Sequence, residues 1–258
     1  MNDILDYPYV LLAGAIAVQW LTANAAAFVR SRHSTLTEEQ RDEFETLETA
    51  TLTLLALLIG FSFQMSIGRY DLRKAYEEAE ANAIGTEYVR ADLLPAEAGS
   101  QVRKLLASYA EQRILFYTIR DPAQLAQINA ATARLQAELW STVTHSAALQ
   151  PSPISALAVA GMNDVLNSQG YTQAAWWNRI PVAAWWLMWL IAICANVIHA
   201  YRERKTHPHL LLVLPVIVSI AMFLIAELDS PRTGLVRVLP QNLISLSQSL
   251  PAAQSPGP

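Results

Sequence analysis

The chain has a single cysteine, Cys194, so it can build neither an internal disulfide framework nor a cysteine-based zinc site. Charge is scarce as well: Asp, Glu, Lys and Arg make up 16% of the 258 residues, where a soluble domain carries roughly 25%. The formal net charge of −4 excludes a nucleic-acid binder that works through a basic face. There is no glycine-rich phosphate loop, no H-E-x-x-H or H-x-x-x-H spacing, and no nucleophile beside a base in the sequence. No enzyme activity, metal site or organic cofactor is expected.

What the chain does have is long apolar runs. Residues 9–29, 50–68, 181–200 and 210–226 each approach the roughly 20 residues a helix needs to cross a 30 Å hydrocarbon core. A cleaved signal peptide competes for the first run, because Ala23-Asn24-Ala25 resembles a cleavage site. Such peptides begin with positive charge, however, and residues 1–8 carry Asp3 and Asp6 and no Lys or Arg, so a retained helix is expected. Trp176, Trp177, Trp185 and Trp186 open the third run and Tyr201 and Arg202 close it, as amphipathic rings and long cations do at membrane interfaces. In the fourth run, Pro215 lacks an amide donor and bends the first half.

The expected fold is all-α. Residues 1–68 hold transmembrane helices 1 and 2, residues 69–179 an extramembrane helical bundle, residues 180–228 transmembrane helices 3 and 4, and residues 229–258 a C-terminal tail, disordered after Leu250. Short-loop cations (Arg30, Arg32 and Arg41, then Arg202, Arg204 and Lys205) place both termini, and with them the bundle, outside the cytoplasm of a bacterial inner membrane. Within the bundle, the second span continues as helix to Leu94 and stops at Pro95, because the residue before proline is pushed out of the α region. Ala75, Ala79 and Ala83 recur every four residues and offer a small stripe for a neighbouring helix. The next helix, residues 98–119, buries Val102, Leu105, Leu106, Tyr109 and Phe116. Asp121-Pro122 caps a third with Leu125, Ile128, Leu135 and Leu139 inward. Pro151-Ser152-Pro153 starts a fourth with Ile154, Leu157, Met162 and Val165.

Three groups of polar residues are functional candidates. In the second span, Gly60, Gln64 and Gly68 lie four apart on one narrow face, with Ser62 and Ser66 close by. Small and polar residues there suit tight helix packing, and they equally suit the lining of a pore. At the membrane edge, Glu227 and Asp229 follow the fourth span, Arg69 or Arg232 could pair with them, and Asp71 and Arg73 complete the expected polar cluster. His199, His207 and His209 read as interfacial histidines in a basic turn rather than metal ligands.

Two segments carry more detail than these physical roles require. Gly60-Phe-Ser-Phe-Gln-Met-Ser-Ile-Gly-Arg-Tyr-Asp-Leu-Arg-Lys74 with Glu78-Ala-Glu-Ala-Asn-Ala-Ile-Gly-Thr-Glu-Tyr-Val-Arg-Ala-Asp-Leu-Leu-Pro95, and Glu227-Leu-Asp-Ser-Pro-Arg-Thr-Gly-Leu-Val-Arg-Val238, resemble the bacterial bestrophin-like membrane proteins of unknown function. The resemblance spans nearly the whole chain and implies no catalytic residue set. Its name invites comparison with true bestrophins, pentameric anion channels with four spans per subunit. The phenylalanine-rich neck and acidic calcium clasp of those channels have no counterpart here. The charge count also puts the large domain outside, where a bestrophin's is cytoplasmic. Within the motif, Asn82, Gly85 and Thr86 replace larger residues where something packs closely, and Arg90 and Asp92 flank the turn at Pro95. Ser230-Pro-Arg-Thr-Gly234 reads as a turn, with Leu235, Val236 and Val238 extended after it.

Two functions follow as expectations. One is a homo-oligomeric ion channel with its pore between subunits, since four helices this apolar do not enclose a water path alone. The other is a non-conducting scaffold or sensor anchored in the bilayer by its spans. The partners expected are the lipid bilayer, copies of the chain and ions, and no nucleic acid.

Overall fold

The structure, a computed structural model, describes residues 7–32, 36–202 and 212–250. Its described elements are helical throughout: α1 (Pro8–Arg32), α2 (Glu38–Arg90), a 3-10 turn (Ala91–Leu93), α3 (Ala96–Thr118), α4 (Pro122–Leu149), α5 (Pro153–Trp177), α6 (Val182–Arg202), α7 (Val213–Asp229) and α8 (Gln241–Ser249). The chain divides into two compact units. One comprises residues 1–70 and 179–237, and the other residues 71–178 and 238–258.

Three helical stretches are long and apolar enough to cross a membrane: Pro8–Arg32, Glu38–Leu93 and Pro153–Arg202, the last formed by α5 and α6. The fourth expected span is not among them. Its described part, α7, has 17 residues, about 26 Å of helix against a core of about 30 Å. Residues 203–211, with His207, His209, Arg204 and Lys205, lie outside the described residues, as does the tail after Leu250.

In the first unit α1 contacts both α6 and α7. The core joins Leu11 of α1, Leu55 of α2, Trp185, Met188, Ala192 and Ala195 of α6, and Val218, Met222 and Ile225 of α7. Where α1 meets the end of α6 the contact shrinks to Ala23, Ala26 and Ala200, small residues that let the backbones approach. One polar cluster sits inside: Gln19 Nε2 donates to Ser219 Oγ at 3.1 Å, and Asn196 Nδ2 donates to the Gln19 carbonyl at 3.0 Å.

Helix α2 starts at Glu38, twelve residues before the apolar run begins. Thr37 and Gln40 explain why: the Gln40 N–H donates to Thr37 Oγ1 and the Thr37 N–H to Gln40 Oε1, a reciprocal cap on the first turn. The helix then runs 53 residues without a break, about 80 Å at the standard rise, and closes through the 3-10 turn before Pro95.

The second unit follows the expected breaks. The Asp121 side chain accepts the Ala123 N–H at 2.9 Å, with Pro122 at the first helical position. Ser152 and Ser155 form a reciprocal capping box at the start of α5. Its buried apolar residues include Val102, Leu106, Tyr109 and Phe116 of α3, Ile128, Leu139 and Val143 of α4, and Ala158, Met162 and Val165 of α5. Two expected faces are rotated. Ile154 and Leu157 are exposed, because α5 turns Ala158 and Gly161 inward instead. Ala75 and Ala79 are exposed as well: the inward face of α2 is Arg73, Glu77, Glu80, Ala81, Ile84 and Glu87. Helix α8, in what the sequence suggests is tail, packs on α3 and buries Leu243.

Candidate functional site: a membrane-edge ion cluster, an open polar stripe and a buried charged row

The first group lies where the apolar part of α2 ends. Arg69 Nη1 sits 3.4 Å from Asp229 Oδ1, with the two side chains 14% and 4% exposed. Both oxygens of Asp229 also accept the Ile180 N–H, at 3.1 and 3.2 Å. Ile180 lies two residues before Val182, the first residue of α6, so the carboxylate neutralises Arg69 and also meets the positive end of that helix. Three helices, α2, α6 and α7, are thereby tied at one level through a single carboxylate.

Glu227, 1% exposed, does a different job. Its Oε2 accepts the N–H groups of Leu235 and Val236, folding the segment after α7 back over the helix end. Gly234 is what makes this possible: a Cβ there would lie 2.6 Å from Glu227 Oε2 and 3.0 Å from the Glu227 carbonyl oxygen. The turn before it is held by Ser230 Oγ and Thr233 Oγ1, 2.8 Å apart. Arg232 is half-buried. The other two residues of the expected edge cluster, Asp71 and Arg73, fall in the second unit, where Asp71 is exposed and Arg73 is buried.

The second group is the stripe on α2. Gly60, Gln64 and Gly68 are all exposed, and no atom lies within 4 Å of where a Cβ on either glycine would sit. Ser62 and Ser66 lie on the opposite side: both are buried, and Ser66 Oγ donates to the Ser62 carbonyl at 3.0 Å. The candidate set thus separates into two faces, with Ser62 turned into the chain and Gln64 turned out of it.

At another end of the first unit His199 Nδ1 and Glu48 Oε1 are 2.7 Å apart, and Arg202 reaches Glu45 and Glu48 at 3.3 Å. Among the described residues no three His, Cys, Asp or Glu side chains converge as metal ligands.

The third group was not foreseen. Along the inward face of α2, Arg73, Glu77, Glu80 and Glu87 are all at most 1% exposed. Glu80 forms a buried ion pair with Arg113 of α3, and its Oε2 accepts from Tyr117 Oη at 3.3 Å and Thr172 Oγ1 at 3.2 Å. Around it, burial and then the Glu80 charge push the phenols of Tyr109 and Tyr117 well above the usual range. Phe116, Tyr117 and Trp176 pack edge to face against the same group, with centroids 4.9–5.4 Å apart. Glu77 holds the start of α8: its Oε1 accepts the Leu243 N–H at 3.0 Å and its Oε2 accepts Asn242 Nδ2 at 2.6 Å. Spacings of four, three and seven from Arg73 to Glu87 mark one helix face. That periodicity was the signal available, masked because it is carried by charges.

The motif residues take their places around this row. Asn82 is exposed. Gly85 leaves room for Leu246 of α8, whose methyl would stand 3.1 Å from a Cβ there. Asp92 pairs with Arg103 of α3, which pins the turn at Pro95. Gly99 lies so close to the Ala91 carbonyl that no side chain fits.

The comparisons agree with this architecture. The Bestrophin-like domain family matches residues 15–243. The fold is similar to crystal structures of a bacterial bestrophin homologue from Klebsiella pneumoniae. One has a TM-score of 0.67 at 14% identity, covering 93% of this chain and 97% of that one; another has 0.62 at 16%, covering 93% and 99%. A further crystal structure, described as that of a membrane protein, has a TM-score of 0.68 at 15% identity, covering 96% and 99%. No curated protein matches the sequence significantly. With its family match running through α1 to α8 and its apolar helices of membrane-spanning length, the chain is a membrane protein that belongs to the Bestrophin-like family.

Proposed function

We propose that the chain is one subunit of a homo-oligomeric ion channel in a bacterial inner membrane, with no enzymatic activity and no cofactor. The observation that carries this reading is the open stripe on α2. Gly60, Gln64 and Gly68 are exposed, with nothing from another element within 4 Å of a Cβ on either glycine, and a glutamine in an apolar span needs water or a polar partner. A second copy of the chain or a water-filled path between copies supplies one. The family relationship, through the bestrophin name, favours the channel over a purely structural contact.

In this reading α7 completes a fourth span, extended by residues before Val213. The domains are residues 1–68, 69–179, 180–228 and 229–258, and the termini and helical domain are extracytoplasmic. A second reading, a non-conducting sensor, is favoured by one observation: α2 is a single helix of 53 residues that carries both the apolar run and the charged row.

Native mass spectrometry in mild detergent and ion flux in proteoliposomes test both. A closed ring of four or more copies, with flux altered by Gln64→Leu at unchanged assembly, supports the channel. A monomer or dimer without flux supports the sensor.

A further inference from the structure

Glu87 stands apart from the other carboxylates of the α2 row. Its side chain is 0% exposed, and neither Oε1 nor Oε2 has a hydrogen-bond partner among the described residues. Glu80 and Glu77, about two and three turns earlier, each receive several donors. Glu87 instead lies directly over Gly161 of α5: a Cβ on Gly161 would overlap Glu87 Oε2 and stand 2.5 Å from Arg90 Nη1. The glycine is the hollow into which the carboxyl group fits.

An ionised carboxylate held there without a donor would bear its full desolvation cost, whereas a neutral acid would bear little. The charged groups that face it are few. Arg90, one turn on along α2, favours the ionised form, and Asp164, one turn on from Gly161 along α5, opposes it. Asp92, on the following turn, is exposed and engaged with Arg103. Arg113 is committed to Glu80. Burial prevails over Arg90 and, with Asp164 adding to the rise, pushes the Glu87 carboxyl up to about 8 from an ordinary 4.5.

We infer that Glu87, seated on Gly161 beside Arg90, is a buried proton-binding site that closes the α2–α5 contact when protonated and loosens it when the proton leaves. The linkage has a definite sign. The folded chain keeps a proton that the unfolded chain gives up, so this group's contribution is fully present below the unfolded value of about 4.5. It declines as pH rises and is gone once pH passes about 8. At neutral pH the site lies about one unit below its midpoint and is mostly protonated, and a rise of about one pH unit empties it in about half of the molecules.

The test uses the full-length protein in detergent or nanodiscs. Infrared difference spectra between about pH 6 and about pH 10, two units either side of the midpoint, should show a protonated carboxyl band that is lost at the higher pH. That band should be absent from Glu87→Gln. Thermal melts should show Tm falling through the midpoint in the wild type and staying level in Glu87→Gln, whose neutral amide occupies the same hollow. Asp164→Asn should move the midpoint down. A wild type without the band overturns the proposal, and so does a band or a melting slope that persists in Glu87→Gln. The spectrum of the unsubstituted protein decides the matter even if the variant does not fold.

Discussion

Replacing Asp229 by Ala gives a loss of stability whose size can be worked from the geometry. Asp229 has a side chain 4% exposed, and the contacts it accepts include two from the Ile180 N–H and one from Arg69, itself 14% exposed. Alanine leaves a largely buried guanidinium and an orphaned backbone donor together. Removing one partner of a buried pair costs about 3–5 kcal/mol, well above the roughly 1 kcal/mol or less of an exposed surface pair. Asp229→Asn keeps an acceptor for the Ile180 N–H and loses only the charge, so it should cost less, about 1–3 kcal/mol. The order Ala > Asn > wild type is the expected result for chemical denaturation of the protein in mild detergent. A double-mutant cycle with Arg69→Met isolates the pair, and the double variant should be less destabilised than the sum of the singles. Equal stability of Asp229→Asn and wild type would refute the reasoning, since the carboxylate would then be doing nothing a neutral amide cannot.

The remaining predictions address other sites. Glu80→Ala should cost about 3–5 kcal/mol by stranding Arg113, whereas Glu80→Leu with Arg113→Met should recover most of the loss; equilibrium unfolding checks both. Gly234→Ala should detach the segment after α7 from Glu227, seen as faster proteolysis between residues 230 and 237 with α1–α7 intact. Glu77→Ala should release α8, read as cleavage near Gln241 and faster amide exchange at Leu243. In the channel reading, Gln64→Leu changes conductance, and Ser66→Ala, on the buried face, does not.

The sequence made the breaks of the helical bundle legible because proline and the caps are local: Pro95, Asp121-Pro122 and Pro151-Ser152-Pro153 act within one turn. Three of the four expected apolar runs were legible for the same kind of reason, as uninterrupted runs that fall within helices long enough to span a membrane. The start of α2 was not, because Glu38, Glu39, Arg41, Asp42 and Glu43 resemble a solvated loop, and the reciprocal cap of Thr37 and Gln40 is short and faint. Helix α8 was missed because it has few apolar residues. It is held by Glu77, a partner 165 residues away along the chain, and no local propensity reports such a tether. The Ala75 and Ala79 stripe misled for a related reason: in a helix with a charged inward face, small residues are left to the solvent side. Pairing in the edge cluster could be anticipated for Arg69 and Asp229 from their positions at the ends of two runs. The part played by the Ile180 backbone could not, since an N–H group carries no mark in sequence.

The tether between Glu77 and α8 also has a consequence for the order of events at the ribosome. Glu77 is made early, and two groups that donate to its buried oxygens, the side chain of Asn242 and the amide of Leu243, are made 165 and 166 residues later. Until those residues are made, Glu77 on the α2 row lacks the two donors from α8. The second unit therefore cannot reach its final packing during synthesis. A product that stops short of Asn242 lacks both of these donors to Glu77.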